Sequence, residues 1–187
     1  MQADRAAHDL VLDDVRVPAS ALGVRLPAAG PAWHPAFATV IRWFQCGVTG
    51  VYTGIADRAR QIALDSIGEG AKGAYRDQTL VDVAVGRMEG VHFRASATLE
   101  CGLQRVAAET DPVDGMITAI TMRDEVTSAA REVVEHAVDI VGGSSYFRRS
   151  PLERLARDVR ASRHHPPAQV VGHQMVGMRL RGREPQI

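Results

Sequence analysis

The chain has 187 residues, 45% of them apolar, and its 22 basic and 22 acidic side chains leave a formal net charge of zero. That length suits one domain, or one domain with an appendage, and the apolar content excludes global disorder. Balanced charge speaks against a nucleic-acid partner, which calls for a basic excess, and no apolar run approaches the roughly 18 residues of a membrane span.

The N-terminal Met-Gln-Ala-Asp-Arg lacks a signal-peptide core, so a cytoplasmic protein is expected. Residues 8–18 alternate apolar and polar side chains at Leu10, Leu12, Val15 and Val17 and end at Pro18, which predicts a short strand with a slip at Asp13-Asp14. A single strand is not stable alone, and the rest of the sequence offers it no obvious partner. Residues 19–34, with Gly23, Pro27, Gly30 and Pro31, read as a linker. From Pro35 to about Ile67 the period is helical, with Phe37, Val40, Ile41, Phe44, Val48, Val51, Ile55, Ala59 and Ile62 expected on the inner face. Trp33 and Trp43, with Phe37 and Phe44, are expected as core and loop anchors. Gly47, Gly50 and Gly54 each cost up to about 1 kcal/mol of helix propensity relative to Ala. They suggest close packing against another helix or, alternatively, a ligand near the backbone.

Gly68 to Gly73 breaks the helix. A second helix is predicted from about Asp77 to Glu109, burying Leu80, Ala84, Met88, Val91, Ala95, Leu99 and Val106. Asp111-Pro112 marks the next turn, with Asp111 as a cap for a third helix expected from about Val113. The third helix runs to Val141 and carries Ile117, Ile120, Ala130, Val133, Ala137 and Ile140 inward, with Arg131 and Glu135 as an exposed pair. Ser150-Pro151 opens a short fourth helix to about residue 162. A fifth follows Pro166-Pro167, with Val170, Val171, Met175 and Met178 as its stripe. The fold expected is therefore all-α: an up-down four-helix bundle over residues 35–182, behind a strand and linker at 1–34 and before a tail at 183–187.

Chemistry concentrates late in the chain. Gly142 and Gly143 end a helix, and freed amides at such a turn can meet phosphate or ring oxygens. Arg148, Arg149, Arg154, Arg157 and Arg160 cluster on or beside the fourth helix; Arg154, Arg157 and Asp158 are expected in interhelical or intersubunit ion pairs, with phosphate binding the less favoured reading. His164 and His165 precede the double proline. Cys46 and Cys101 match no metal-ligand spacing and are read as reduced thiols, and no metal site is expected.

Four of these segments resemble the C-terminal helical domain of the acyl-CoA dehydrogenase family of flavoproteins. They are Val15-Arg-Val-Pro18, Gly54-Ile-Ala-Asp-Arg-Ala-Arg-Gln-Ile-Ala-Leu64, Asp139-Ile-Val-Gly-Gly-Ser-Ser-Tyr146 and Pro151-Leu-Glu-Arg-Leu-Ala-Arg-Asp158. The resemblance implies a flavin cofactor, FAD or FMN, and a small-molecule substrate. It implies that Asp139, Ile140, Val141, Gly142 and Gly143 lie along the flavin of a neighbouring subunit, hence a homo-oligomer, dimer or tetramer. Family dehydrogenases place a glutamate base about eight residues after the Arg-Asp pair; here that stretch is Ser162-Arg-His-His-Pro-Pro-Ala168. The other known location, on the first long helix, is also without a carboxylate, since no Asp or Glu lies between Asp14 and Asp57. The His-His-Pro pattern is similar to the branch containing flavin-dependent monooxygenases, which implies oxygen transfer with His164 or His165 as the proton-handling group. Two other readings stand beside it: an acyl-CoA dehydrogenase acting on CH–CH bonds, and a non-catalytic helical dimerisation module from a truncated or split gene. The family's N-terminal helical domain and most of its middle β-domain are not represented in the sequence. The family's flavin-contacting Arg and Phe after the first helix have no counterpart between Ile67 and Tyr75, where Lys72 is a partial substitute.

Overall fold

The computed structural model describes residues 11–21, 23, 35–67 and 78–185. Contacts divide the chain into a unit at Met1–Gly30 and a larger unit at Pro31–Ile187. In the first, residues 11–18 form no strand and are exposed, and a single 3-10 turn at Ala19–Ala21 follows. The predicted strand is therefore not formed within the described residues; residues 8–10 lie outside them. The alternating pattern is present, but a strand needs a neighbour for its amides and carbonyls.

The second unit contains five α-helices: α1 (Pro35–Ile67), α2 (Gln78–Ala108), α3 (Pro112–Val141), α4 (Pro151–Asp158) and α5 (Gln169–Leu180). Five-residue 3-10 segments follow α3, at Gly142–Tyr146, and α4, at Val159–Arg163. Side-chain pairs define the directions. Arg60 Nε donates to Glu89 at 2.5 Å and His92 Nε2 lies 2.6 Å from Asp57, so α1 and α2 are antiparallel. Arg94 bonds Glu132 at 2.5 Å, so α2 and α3 are antiparallel. Arg179 near the end of α5 donates to Asp114 at the start of α3 at 2.6 Å. The order is up-down-up-down, the all-α bundle expected, with α3 packed along both other long helices and α4 and α5 laid against it.

The starts and stops have local causes. Asp111 Oδ1 accepts the amides of Val113 and Asp114 at 2.8 and 2.9 Å, with Pro112 at the first helical position. Ser150 takes the extended cap conformation before Pro151, but its side chain makes no capping bond. Arg42 is buried and donates to the carbonyls of Val106 and Glu109, the orphan acceptors at the end of α2. Gly115 lets it through: a Cβ there would stand 2.7 Å from Arg42 Nη1.

The face that α1 buries differs from the one its large apolar residues suggest. The buried stripe is Ala38, Arg42, Gln45, Thr49, Tyr52, Ala56, Ala59 and Ala63. Phe37, Val40, Phe44 and Val51 are exposed, and so is Trp43, at 54%. From Ala56 to Ala63 small residues take the interior, where α1 packs along α3 and bulk would hold the helices apart; before that, Arg42, Gln45, Thr49 and Tyr52 are buried as polar or aromatic groups. Gly47, Gly50 and Gly54 lie on the outer side, where an added Cβ would meet nothing within 4 Å, so among the described residues they pack against no other helix. Leu80 on α2 and Val170 on α5 are likewise exposed, against expectation, while Met88, Val91, Ala95, Val106, Met175 and Met178 are buried as predicted. Trp33 and residues 68–77, including Lys72, lie outside the described residues.

Candidate functional site

The core consists of two apolar clusters. One gathers Tyr52, Ala56, Ala59 and Met88 with the Ala129–Ile140 part of α3. The other gathers Ala38, Met116, Ile117, Ile120 and Met175. Between them along α1 and α3 runs a buried polar belt of Gln45, Thr49, Arg123, Asp124, Thr127 and Arg131. Buried polar groups are tolerated only when satisfied, and most of these are. Arg123, 1% exposed, donates to Asp124 Oδ1 through Nε at 3.0 Å and Nη2 at 2.7 Å. Its Nη1 donates to Gln45 Oε1 at 2.9 Å and to the His165 carbonyl at 3.4 Å. Gln45 Nε2 in turn donates to the Pro166 carbonyl at 2.9 Å. Arg131, expected on the surface, is buried instead and donates to Ser162 at 2.7 Å and Ser128 at 2.8 Å. The belt therefore holds both ends of the Ser162–Pro166 turn, whose Pro166-Pro167 bond is cis.

This anchoring sets the place of the histidines. His164 is exposed. The half-buried His165 ring stands edge-on to Tyr52, with centroids 5.6 Å apart, and to Phe44 at 6.4 Å. Burial, with the Arg123 guanidinium as a second cause, pushes its pKa below the ordinary 6.5. At neutral pH it is a neutral imidazole, with one nitrogen to donate and one to accept. Asp124 is the belt's only carboxylate, and burial raises its pKa despite Arg123. It is not open to a substrate: α5 covers it, and a Cβ on Gly172 would stand 3.0 Å from Oδ2. That oxygen accepts no hydrogen bond, and His173 Nε2 is 3.7 Å away.

The other predicted residues stand elsewhere. Asp139 and Gly143 are exposed, Val141 and Gly142 half-buried, and Ile140 is in the core. Gly142 takes φ 71°, where only glycine is unstrained, and its amide donates to Val138. Asp139 lies sixteen residues beyond Arg123 on α3, about 24 Å along the helix axis. The diglycine and the histidine turn thus occupy different levels of the bundle and do not converge within one chain. Arg154 pairs with Asp158 at 3.2 Å and Arg157 with Glu153 at 3.5 Å, so these ion pairs lie within α4 and not between helices. Among the described residues no group of three or more His, Cys, Asp or Glu side chains could hold a metal ion, and no helix is long and apolar enough to cross a membrane.

Sequence reasoning missed Gln45, Arg123 and Asp124. Their register carried the information: they continue the buried stripes of Ala38 on α1 and Ile120 on α3, at positions where a surface-directed polar residue would break the pattern.

A bundle with this helix order, a diglycine closing α3 and a proline-bounded turn locked onto the core defines a recognisable class of helical domain. The family model for the acyl-CoA dehydrogenase C-terminal domain matches residues 46–169. The Bacillus subtilis (strain 168) acyl-CoA-dehydrogenase-type protein YdbM is 31% identical over 176 residues, covering 89% of this chain and 44% of its own. The chain belongs to the acyl-CoA dehydrogenase family, as its C-terminal domain. Among solved structures, nitrososynthase from Micromonospora carbonacea var. africana is 26% identical with a TM-score of 0.73, over 89% of this chain and 46% of that one. KijD3, in complex with FMN and dTDP-3-amino-2,3,6-trideoxy-4-keto-3-methyl-D-glucose, shares the fold at a TM-score of 0.64 and 24% identity, over 78% of this chain and 38% of that one. The chain spans less than half the length of each of these relatives.

Proposed function

We propose that this chain is the C-terminal part of a flavin-dependent oxidoreductase that transfers oxygen to a small molecule, with His165 handling the proton. The observation that carries this reading is the His165 turn. Where family dehydrogenases carry a carboxylate base, an imidazole kept neutral is held by Arg123 and Gln45 against Tyr52 and Phe44. His164, exposed beside it, is the second candidate. On this reading residues 1–34 are the end of a preceding β-domain and its linker, residues 35–182 the bundle, and 183–187 a tail.

The diglycine fits a flavin. Gly142 turns the chain through a positive φ, and at Gly143 an added Cβ would meet nothing within 4 Å, leaving bare backbone to which a planar group can lie close. Asp139, Ile140, Val141, Gly142 and Gly143 would hold it. FAD or FMN, when bound, supplies the redox chemistry. His165 supplies a donor and an acceptor near neutral pH, and the Tyr52 and Phe44 rings flank it edge-on. Because the diglycine closes α3 while the His165 turn is held at Arg123 and Arg131, earlier on that helix, each serves a different flavin on this reading, which calls for a homo-oligomer. The exposed apolar side of α1 favours a second reading, a docking module without catalysis of its own.

The test is reconstitution of the assembly with flavin, oxidised for the acyl-CoA assay and reduced for the peroxide assay. The proposal expects no oxidation of acyl-CoA with an artificial electron acceptor, and increased hydrogen peroxide release in His165→Ala. Robust acyl-CoA oxidation would refute oxygen transfer. If neither His165→Ala nor His164→Ala changes peroxide release, the histidines have no part in the mechanism. A chain that cannot be loaded with FAD or FMN supports the docking module.

A further inference from the structure

A second feature lies on the outer surface. Arg58 from α1, Arg148 and Arg149 from the loop after the diglycine, and Arg154 from α4 line one open cleft of about 420 Å³, together with Ser150 and Leu155. Among its described wall residues there is no carboxylate. We propose that this cleft is an anion site that takes a phosphate or diphosphate group.

Three observations converge. First, four guanidinium groups from three chain segments are brought together in a molecule whose formal net charge is zero. Like charges gathered this way repel, and the chain does little to relieve them. Among the described residues neither Arg58 nor Arg148 has an ion-pair partner; Arg149 stacks on the Phe147 ring at 5.0 Å, and only Arg154 is paired, to Asp158. Second, the fold gathers them: Arg58 is separated from Arg148 by 90 positions in sequence, so no local pattern places them together. Third, α4 begins at this wall, and the Ser150 side chain makes no capping bond to its first amides. Arginine forks match phosphate oxygens in pairs, and amides at a helix start favour an anion. A carboxylate offers fewer oxygens to four forks, so a phosphate or diphosphate is the better fit.

The site can be tested without any enzyme activity. Titration calorimetry of the whole chain with inorganic pyrophosphate at low ionic strength should give saturable binding. Arg58→Gln and Arg148→Gln should each weaken it about tenfold. Arg94→Gln, which removes an exposed arginine paired with Glu132 on α2, should leave it unchanged. Parallel titrations with FMN and with ADP distinguish the sources of the phosphate. FMN affinity that falls with Arg148→Gln assigns the site to the cofactor. ADP affinity that falls while FMN binding does not assigns it to a phosphorylated substrate. Absence of saturable pyrophosphate binding, or an equal loss in Arg94→Gln, overturns the proposal. Failure of flavin binding alone bears only on the oxidoreductase reading.

Discussion

Arg123→Met tests the polar belt directly. Methionine keeps the unbranched stem and removes the guanidinium, so the cavity is small and the loss is electrostatic. Asp124 would lose both bonds to its Oδ1, at 3.0 and 2.7 Å, and Gln45 Oε1 and the His165 carbonyl would lose their donor. Removing one partner of a buried pair leaves the other charge uncompensated and costs about 3–5 kcal/mol, well above the ~0–1 kcal/mol of a surface pair. Acidity should relieve it. Burial already raises the Asp124 pKa, and Arg123 is the largest influence pulling it down. Without Arg123 the folded-state value rises further above the unfolded one. The protonated form is then favoured by folding, and the destabilisation is present above the folded pKa and lost below it. Urea unfolding followed by far-ultraviolet circular dichroism at pH 8 and pH 5 should show the gap to the parent chain narrowing at the lower pH. Arg123→Met combined with Asp124→Leu should recover most of the loss, because no charge is stranded. The His165 imidazole, followed by NMR, should titrate closer to its ordinary range in Arg123→Met, since one of the two causes of its depression is gone. A cost below about 1 kcal/mol at pH 8, or a gap independent of pH, would refute the belt as described.

Three further outcomes are expected. Asp111→Ala removes the acceptor of two α3 amides and should cost about 1 kcal/mol, lowering Tm by about 2–4 °C; an unchanged melt would show that the cap is idle. Gly50→Ala, on the open side of α1, should raise the stability of the chain by about 0.5–1 kcal/mol. Gly102→Ala would set a Cβ 2.4 Å from Met122 Cγ and should cost about 1–3 kcal/mol; similar melting shifts in both glycine variants would contradict the packing. His165, whose pKa the fold depresses, resists a proton that the unfolded chain accepts. Its contribution to stability is therefore present above pH 6.5 and lost as pH falls through the folded value. His165→Gln should flatten that part of the pH profile, and an unaltered profile would assign the acid sensitivity to other groups.

Much of the fold was legible because its cues are local. The start at Asp111-Pro112, the end at Gly142 and the α3 stripe of Ile117, Ile120, Ala130, Val133, Ala137 and Ile140 each follow from neighbouring residues, and the structure places them as read. The strand expected at residues 8–18 does not form at the described residues 11–18, because alternation records which residues share a face, not whether a neighbouring strand exists. The site was only half legible. The diglycine and the histidines stand out by type and spacing, whereas Gln45 and Arg123 look like ordinary surface residues of amphipathic helices. Nothing near either one indicates a partner 78 positions away.

The sequence by itself determined the helices, the Asp111 cap of α3, the charge balance and the absence of a carboxylate at the His164-His165 turn. These depend on propensity, periodicity and composition, which act within a few residues. Tertiary structure alone decided which side of α1 faces inward, since the close approach of α3 admits Ala56, Ala59 and Ala63 and leaves Trp43 and Val51 outside. It alone decided that Arg123 is buried and fixes the histidine turn, and that Arg58 joins Arg148 in one cleft. The reason is common to all three: a buried charge, a packed face and a cluster of like charges are defined by residues distant in sequence, and only the folded chain brings them within range of one another.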